Sequence, residues 1–375
     1  MNERPEKPRD TMIRTTAGWR LWLAFCGAAL WPGAARAASP PSSSTPSVCA
    51  SCHRAQAATQ PATSMAHALE TVAECEILRA HQKLTFRDGA YSYEILRDGN
   101  RSIYKVTDGK ETFTVPIGWA LGLGTAGQTY VYRWNGNFYE SHVSFFKQLQ
   151  GLDLTIGTIL NPKNLEEAVG RQLFGTEIRR CFACHATRAL RQDQVDIEGL
   201  IPGVQCERCH GPAEQHVKAV QSGDVKAAAM RKLGSLTTEE MSDFCGDCHR
   251  TWAEIAMGPQ RGVENVRFQP YRLTNSKCYN ALDARIRCAA CHDPHREVQL
   301  ESAAYDVKCL ACHSSGSTLA ASGAKAQAAG HPGTCPVGTK DCASCHMPRY
   351  EIPGTHNRFT DHWIRVVTPG EPYPG

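Results

Sequence analysis

Seven copies of one short motif, C-x-x-C-H, run through this chain: Cys49-Cys52-His53, Cys181-Cys184-His185, Cys206-Cys209-His210, Cys245-Cys248-His249, Cys288-Cys291-His292, Cys309-Cys312-His313 and Cys342-Cys345-His346. At the chain's own Cys and His frequencies about 0.03 copies would arise by chance, so composition does not account for the repeat. Two cysteines three residues apart share one face of a helical turn, with a histidine directly behind them. Each thiol can then form a thioether with one vinyl group of a haem, and the histidine is held beneath the iron as proximal ligand. The expected cofactor complement is seven covalently bound haem c (iron). Structural zinc shared between pairs is the alternative, but it leaves the histidine behind every pair without a task. Redox-active disulfides within each pair are a third reading, and proteins of that kind carry one or two copies.

Covalent haem attachment agrees with export. Residues 1–37 read as a signal peptide: basic residues Arg4, Lys7, Arg9, Arg14 and Arg20, an apolar stretch from Leu21 to Trp31, then Ala35-Arg36-Ala37 as an A-x-A cleavage site. The apolar stretch is shorter than the roughly 20 residues that span a bilayer, and no other run reaches that length. Cys26 sits behind the bulky Phe25 and is expected to leave with the signal, not to carry a lipid. A periplasmic location follows, with an extracellular one as variant, and no transmembrane anchor is expected. Six of the 41 Lys/Arg and three of the 37 Asp/Glu lie in residues 1–37, leaving 35 against 34. The formal +4 of the whole chain thus belongs mostly to the leader. No basic cluster of the kind that binds nucleic acid remains.

Ala38 to Ser47 is Pro/Ser-rich and reads as a tether. From Ala62 to Gln82, Met65, Leu69, Val72, Ile77 and Leu78 recur at helical spacing and predict a helix. Leu84 to Phe146 is rich in Tyr, Phe, Val, Ile and Thr and is punctuated by Asp88-Gly89, Asp98-Gly99-Asn100, Asp108-Gly109 and Asn135-Gly136-Asn137; it predicts a meander of about five strands. Beyond Gly151 short helices alternate with Gly and Pro, and Thr237 with Glu240 forms a capping-box signature. Ser314 to Gly330 reads as a surface loop and Thr368 to Gly375 as an irregular tail. The organisation is a signal peptide (1–37), an N-terminal single-haem segment (38–83), an antiparallel β segment (84–150), a six-haem region (151–346) and a C-terminal segment supplying distal histidines (347–375). Gly122-x-Gly124-x-x-Gly127 imitates a dinucleotide fingerprint but runs into a strand, Gln128 to Trp134, so it is assigned to a hairpin loop.

Fifteen histidines less seven proximal ones leave His67, His81, His142, His216, His295, His331, His356 and His362. His295 lies three residues behind His292, too close to reach the far face of the same haem, so it is assigned to a neighbour; His216, six residues behind His210, is treated alike. His331, His356 and His362 complete the better candidates. His67 and His81, 14 residues apart, would share one face of the predicted helix. His142 is read as an ordinary exposed strand histidine. The distal candidates are therefore His67, His81, His216, His295, His331, His356 and His362, just enough for seven haems; one failure leaves an open iron. Of the remaining cysteines, Cys278 and Cys335 are the favoured disulfide pair, and Cys75 then reads as a buried thiol, with an axial thiolate as alternative.

The motifs, with CERCHGPAEQH and CAACHDPH, make Cys181 to His346 resemble the multihaem c-type cytochromes, especially the group with the tetrahaem nitrification cytochromes and octahaem hydroxylamine oxidoreductase. The resemblance implies that His216 caps a neighbouring haem and that haems stack in parallel and perpendicular pairs as an electron wire. The β segment looks like no part of those proteins. No C-x-x-C-K is present, and no tyrosine matches the cross-linked one of hydroxylamine oxidoreductase, so no catalytic residue is assigned.

The expected fold class is α+β: haem-packed short helices and irregular loops with an inserted antiparallel β meander. Six motifs within 166 residues give about 28 per haem, too few to enclose each porphyrin separately. The haems must then bury one another's faces, and bis-histidine ligation implies low potentials. The expected function is electron transfer, with redox proteins or quinol-linked membrane complexes as donors and acceptors. A reductase or oxidase of a small nitrogen or sulfur compound at one five-coordinate haem is the runner-up. An oligomer or haem filament is a third possibility.

Overall fold

The structure, a computed structural model, describes residues 47–224, 226–313, 338–368 and 370–374. The segment read as signal peptide, the tether up to its last residue, the Ser314 to Gly330 loop, His331 and Cys335 lie outside the described residues, and with Cys335 the proposed disulfide partner of Cys278. No described helix is long and apolar enough to cross a membrane.

Among the described residues, ten antiparallel strands form the two larger sheets. The first four after residue 82 make a plain meander, β2 (Lys83–Asp88), β3 (Tyr91–Asp98), β4 (Arg101–Thr107) and β5 (Thr112–Pro116), in the order β2-β3-β4-β5. The other sheet runs β1 (Leu69–Thr71), β6 (Trp119–Leu121), β7 (Gln128–Trp134), β8 (Asn137–Phe146), β10 (Gly170–Leu173), with β9 (Gly151–Leu154) also on β8. The long β8 serves two neighbours because its first half pairs with β10 and its second half with β9. Asn135 and Gly136 join β7 to β8, both with positive φ (47° and 78°), as a two-residue hairpin turn requires.

Alternation decides what the sheets bury. Tyr91, Tyr93 and Ile95 on β3 and Tyr104 and Val106 on β4 point one way and meet Tyr130, Tyr132, Val143 and Phe145 of the other sheet in one core. The opposite face of the larger sheet is covered as well. Leu69, Leu121, Val131 and Leu173 pack there against Ile178 and Phe182, and Phe182 meets Trp119 edge-on at 5.2 Å. Ile178 and Phe182 belong to the helix that carries the second motif, so the β body anchors that motif directly.

The loop at Gly122 to Gly127 connects β6 to β7, as expected of a hairpin loop. Three expectations need correction. Seven strands, β2 to β8, occupy the stretch where about five were expected, and β1, β9 and β10 join from outside it. The helix over 62–82 does not form: Leu69–Thr71 is strand β1, laddered to β6, and only Glu76–Ala80 is helical. The hydrogen-bonding edge of β6 outcompetes a short helix whose apolar run fits either period. His142 is on a strand but is 0 % exposed, because both faces of β8 are covered at that point.

Candidate haem-attachment centre

All seven motifs sit on short helices: α1 (Ser47–Cys52), α2 (Gly175–His185), α3 (Cys206–His210), α4 (Thr238–His249), α5 (Cys288–Cys291), α6 (Asp306–His313) and α7 (Cys342–His346). The capping box holds as read: Thr237 Oγ1 accepts from the Glu240 amide at 3.2 Å, and the Thr237 amide donates to Glu240 at 2.8 Å. Every motif cysteine is half-buried or exposed, whereas Cys75 is fully buried, its Sγ donating to Gln128 Oε1 at 3.2 Å. Burial pushes the Cys75 thiol up to about 12, so it stays protonated and inert, as a buried thiol should.

The imidazoles are set for metal binding through one chosen nitrogen. Nδ1–H donates to a backbone carbonyl in His185 (Ala68, 2.8 Å), His346 (Arg365, 2.8 Å), His216 (Ala228, 2.6 Å), His362 (Thr360, 3.1 Å) and His81 (Ile77, 2.8 Å). A carbonyl only accepts, so the proton is fixed on Nδ1 and the Nε2 lone pair is left for a metal. Burial lowers the pKa of His185, His210, His249 and His292, and burial followed by the neighbouring His292 holds His362 at about 4. These rings are therefore neutral, the form that ligates.

Three proximal candidates face a distal candidate at one recurrent spacing. Ring centroids lie 6.3 Å apart for His53 and His216, 6.1 Å for His210 and His295, and 6.2 Å for His292 and His362. With metal–nitrogen bonds of about 2 Å, two imidazoles on one iron place their centroids roughly 6 Å apart, and these three spacings match that value. Apolar side chains beside the motifs also lie open, Leu282 at 93 % and Leu300 at 87 %, as surface that a porphyrin face would cover. Donor set, spacing and open apolar surface all fit haem.

Other candidates are placed differently. His67 uses both ring nitrogens on protein, Nδ1 with Glu70 at 3.1 Å and Nε2 with the Pro61 carbonyl at 3.0 Å. His356 commits Nε2 to Asp153 at 2.8 Å and packs edge-on against Phe146. The shared helical face proposed for His67 and His81 does not exist; His67 is in a turn and His81 ends the Glu76–Ala80 helix against Phe145. His142 bonds Thr158 through Nδ1 at 2.9 Å and stacks on Tyr93 inside the β core.

Residues that motif reading passed over tie the helices together. Arg208, an x residue of the third motif, donates from Nε to the Ala183 carbonyl inside the second motif (2.9 Å) and from Nη2 to Asp247 inside the fourth (2.9 Å). Cys184 Sγ lies 3.5 Å from the Asp247 carbonyl, joining the second and fourth motifs directly. His53 with His216 links the first motif to the third, and His210 with His295 links the third to the fifth. His292 Nδ1–H donates to the Tyr305 hydroxyl at 3.4 Å, next to α6, and Asp306 of α6 accepts from the Asp341 and Cys342 amides at 2.6 and 2.8 Å. Every motif is thus connected to another. The only signal in the sequence was the chemistry of the x positions and of the residues just ahead of each motif, where a charged side chain can cap or bridge.

Accessible thiol pairs with a histidine behind each define a protein that carries haem c covalently. Residues 158–211, which hold the second and third motifs, match the family of cytochrome c554 and c-prime. The multiheme cytochrome MtrA of Shewanella baltica (strain OS185) is 25 % identical over 175 residues, 36 % of this chain and 51 % of that protein, so the chain spans about half the length of this curated relative. Among solved structures, the outer cell wall cytochrome OcwA matches at 15 % identity with a TM-score of 0.49, covering 86 % of this chain and 79 % of that one. With its repeated motifs, the chain is a multihaem c-type cytochrome.

Proposed function

We propose that this chain is an exported heptahaem c-type cytochrome that acts in electron transfer. The observation that carries the reading is the unbroken set of contacts joining all seven motifs, which requires the cofactors they would hold to be neighbours. Each motif would hold its haem by two thioethers and one proximal imidazole: His53, His185, His210, His249, His292, His313 and His346. A bound haem supplies a one-electron iron couple, made low in potential by bis-histidine ligation. The chain's own part is to fix the Nε2 atoms through Nδ1–H···O=C bonds, to bury the rings, and to keep the motifs in contact. His216, His295 and His362, whose rings lie near those of His53, His210 and His292, would serve as the distal ligands. Export and a periplasmic location rest on the leader of residues 1–37, and redox proteins or quinol-linked membrane complexes are the partners proposed.

A second reading rests on ligand supply. With Nε2 of His67 and of His356 engaged by protein and His142 enclosed in the β core, five histidines remain for seven haems: His81, His216, His295, His331 and His362. Two irons are left without distal histidine, and either could be a site of reduction or oxidation of a small molecule. Voltammetry of the adsorbed protein tests the relay: all seven haems are expected to exchange electrons reversibly, and a haem subset that stays electrochemically silent would contradict it. Carbon monoxide binding to the ferrous protein tests the second reading. Up to two haems per chain should bind it, and none would sink the enzyme.

A further inference from the structure

The C-terminal segment contains a buried ion pair that no haem motif requires. Arg272, 2 % exposed, grips Asp361, 0 % exposed, through two parallel bonds of 2.8 Å, Nε to Oδ1 and Nη2 to Oδ2. Removing both charges from water is costly, and such a pair is weak grounds for stability, so its location is the informative point. Asp361 immediately precedes His362. Its carboxylate also accepts from the Trp363 amide at 3.0 Å and from Arg365 Nη1 at 3.1 Å, and its own amide donates to the Pro348 carbonyl at 2.9 Å. The Arg272 guanidinium is held between Trp363 (5.1 Å) and Tyr373 (4.6 Å). Ser276, on the same stretch as Arg272, donates to the His362 carbonyl at 3.2 Å and accepts from the Ile364 amide at 2.8 Å.

We propose that Arg272, Asp361 and Ser276 are positioning residues that hold His362 opposite His292 as the distal ligand of the fifth haem. The proposal rests on the haem reading above and deepens it. His362 is anchored by the residue before it, by its own carbonyl and by the two residues after it, so backbone drift cannot carry the ring away. Its Nδ1–H bond to the Thr360 carbonyl fixes rotation and tautomer. The device combines a charge fork of fixed geometry with packed aromatic faces, which is how a ligand is held to a fraction of an ångström.

The test uses the full haem-loaded protein, comparing D361N, S276A and H362A by ferric electron paramagnetic resonance and by ferrous carbon monoxide binding, with haem content and circular dichroism as fold controls. H362A should add one high-spin, carbon monoxide-binding haem to the wild-type number. D361N should add most of one and S276A a measurable fraction, while G203A, a destabilising change remote from this cluster, should add none. If H362A leaves the spectra unchanged, the ligation reading fails. If H362A changes them and D361N, retaining seven haems, does not, the positioning proposal is overturned. Should D361N not accumulate with its haems, S276A decides in the same terms.

Discussion

At the scale of the residue, the proposed ligands are told from the other histidines by which imidazole nitrogen the protein leaves free. His216 spends Nδ1 on the Ala228 carbonyl and keeps Nε2; His67 spends both on Glu70 and Pro61. Replacing His216 or His295 by Ala should each convert one haem to a high-spin, carbon monoxide-binding form. His67→Ala and His356→Ala should leave the spectra as they are, and a new high-spin haem in either would contradict the assignment. The assignment of His216 and His295 to neighbouring haems could be proposed from the sequence because their distance from the preceding motif already excluded the same haem. The capture of both His67 nitrogens could not be, since the carbonyl and carboxylate that hold them are brought there by a turn between Pro61 and Glu70.

At the scale of the element, the helices that carry motifs and the meander of hairpins follow from local rules, whereas β1 does not. Met65 and Ala66 are held by bonds from Val204 and Gln205, and Gly203 sits so close that a Cβ there would lie 1.7 Å from the Ala66 carbonyl oxygen, at a φ of +72°. Partners this far away in sequence turn a helical pattern into a strand, and no local window contains them. Gly203→Ala should therefore destabilise by about 1–3 kcal/mol, read as a fall in Tm with haem content unchanged. Within the sandwich, burial lowers the pKa of His142, opposed in part by Asp88, whose carboxylate is 3.9 Å from Nε2. The unfolded chain takes up this proton first as pH falls, so the contribution is complete above about pH 6.5 and is lost as pH drops below it, at no more than about 1.4 kcal/mol per pH unit. Denaturant melts of wild type and H142F at several pH values should differ in slope in that window, and parallel curves would contradict the assignment.

At the scale of the whole molecule, the spatial order of the motifs is not their order in the chain. The contacts run from the first motif to the third and from the third to the fifth, sixth and seventh, while the second and fourth meet beside Arg208. Motif count and spacing announced the cofactor, but only tertiary contacts set this order, and the arginine at its centre is hidden inside a motif's variable positions. The β sandwich buttresses this arrangement through Ile178 and Phe182 on the helix of the second motif. Phe182→Ala should therefore loosen that helix from the sheet, costing about 3–5 kcal/mol in a denaturant melt. The central claim is that all seven C-x-x-C-H sites carry haem. A pyridine haemochrome assay with intact mass on the denatured protein tests it most directly: seven covalently attached haems per chain are expected, and any smaller number in fully matured protein would contradict the account.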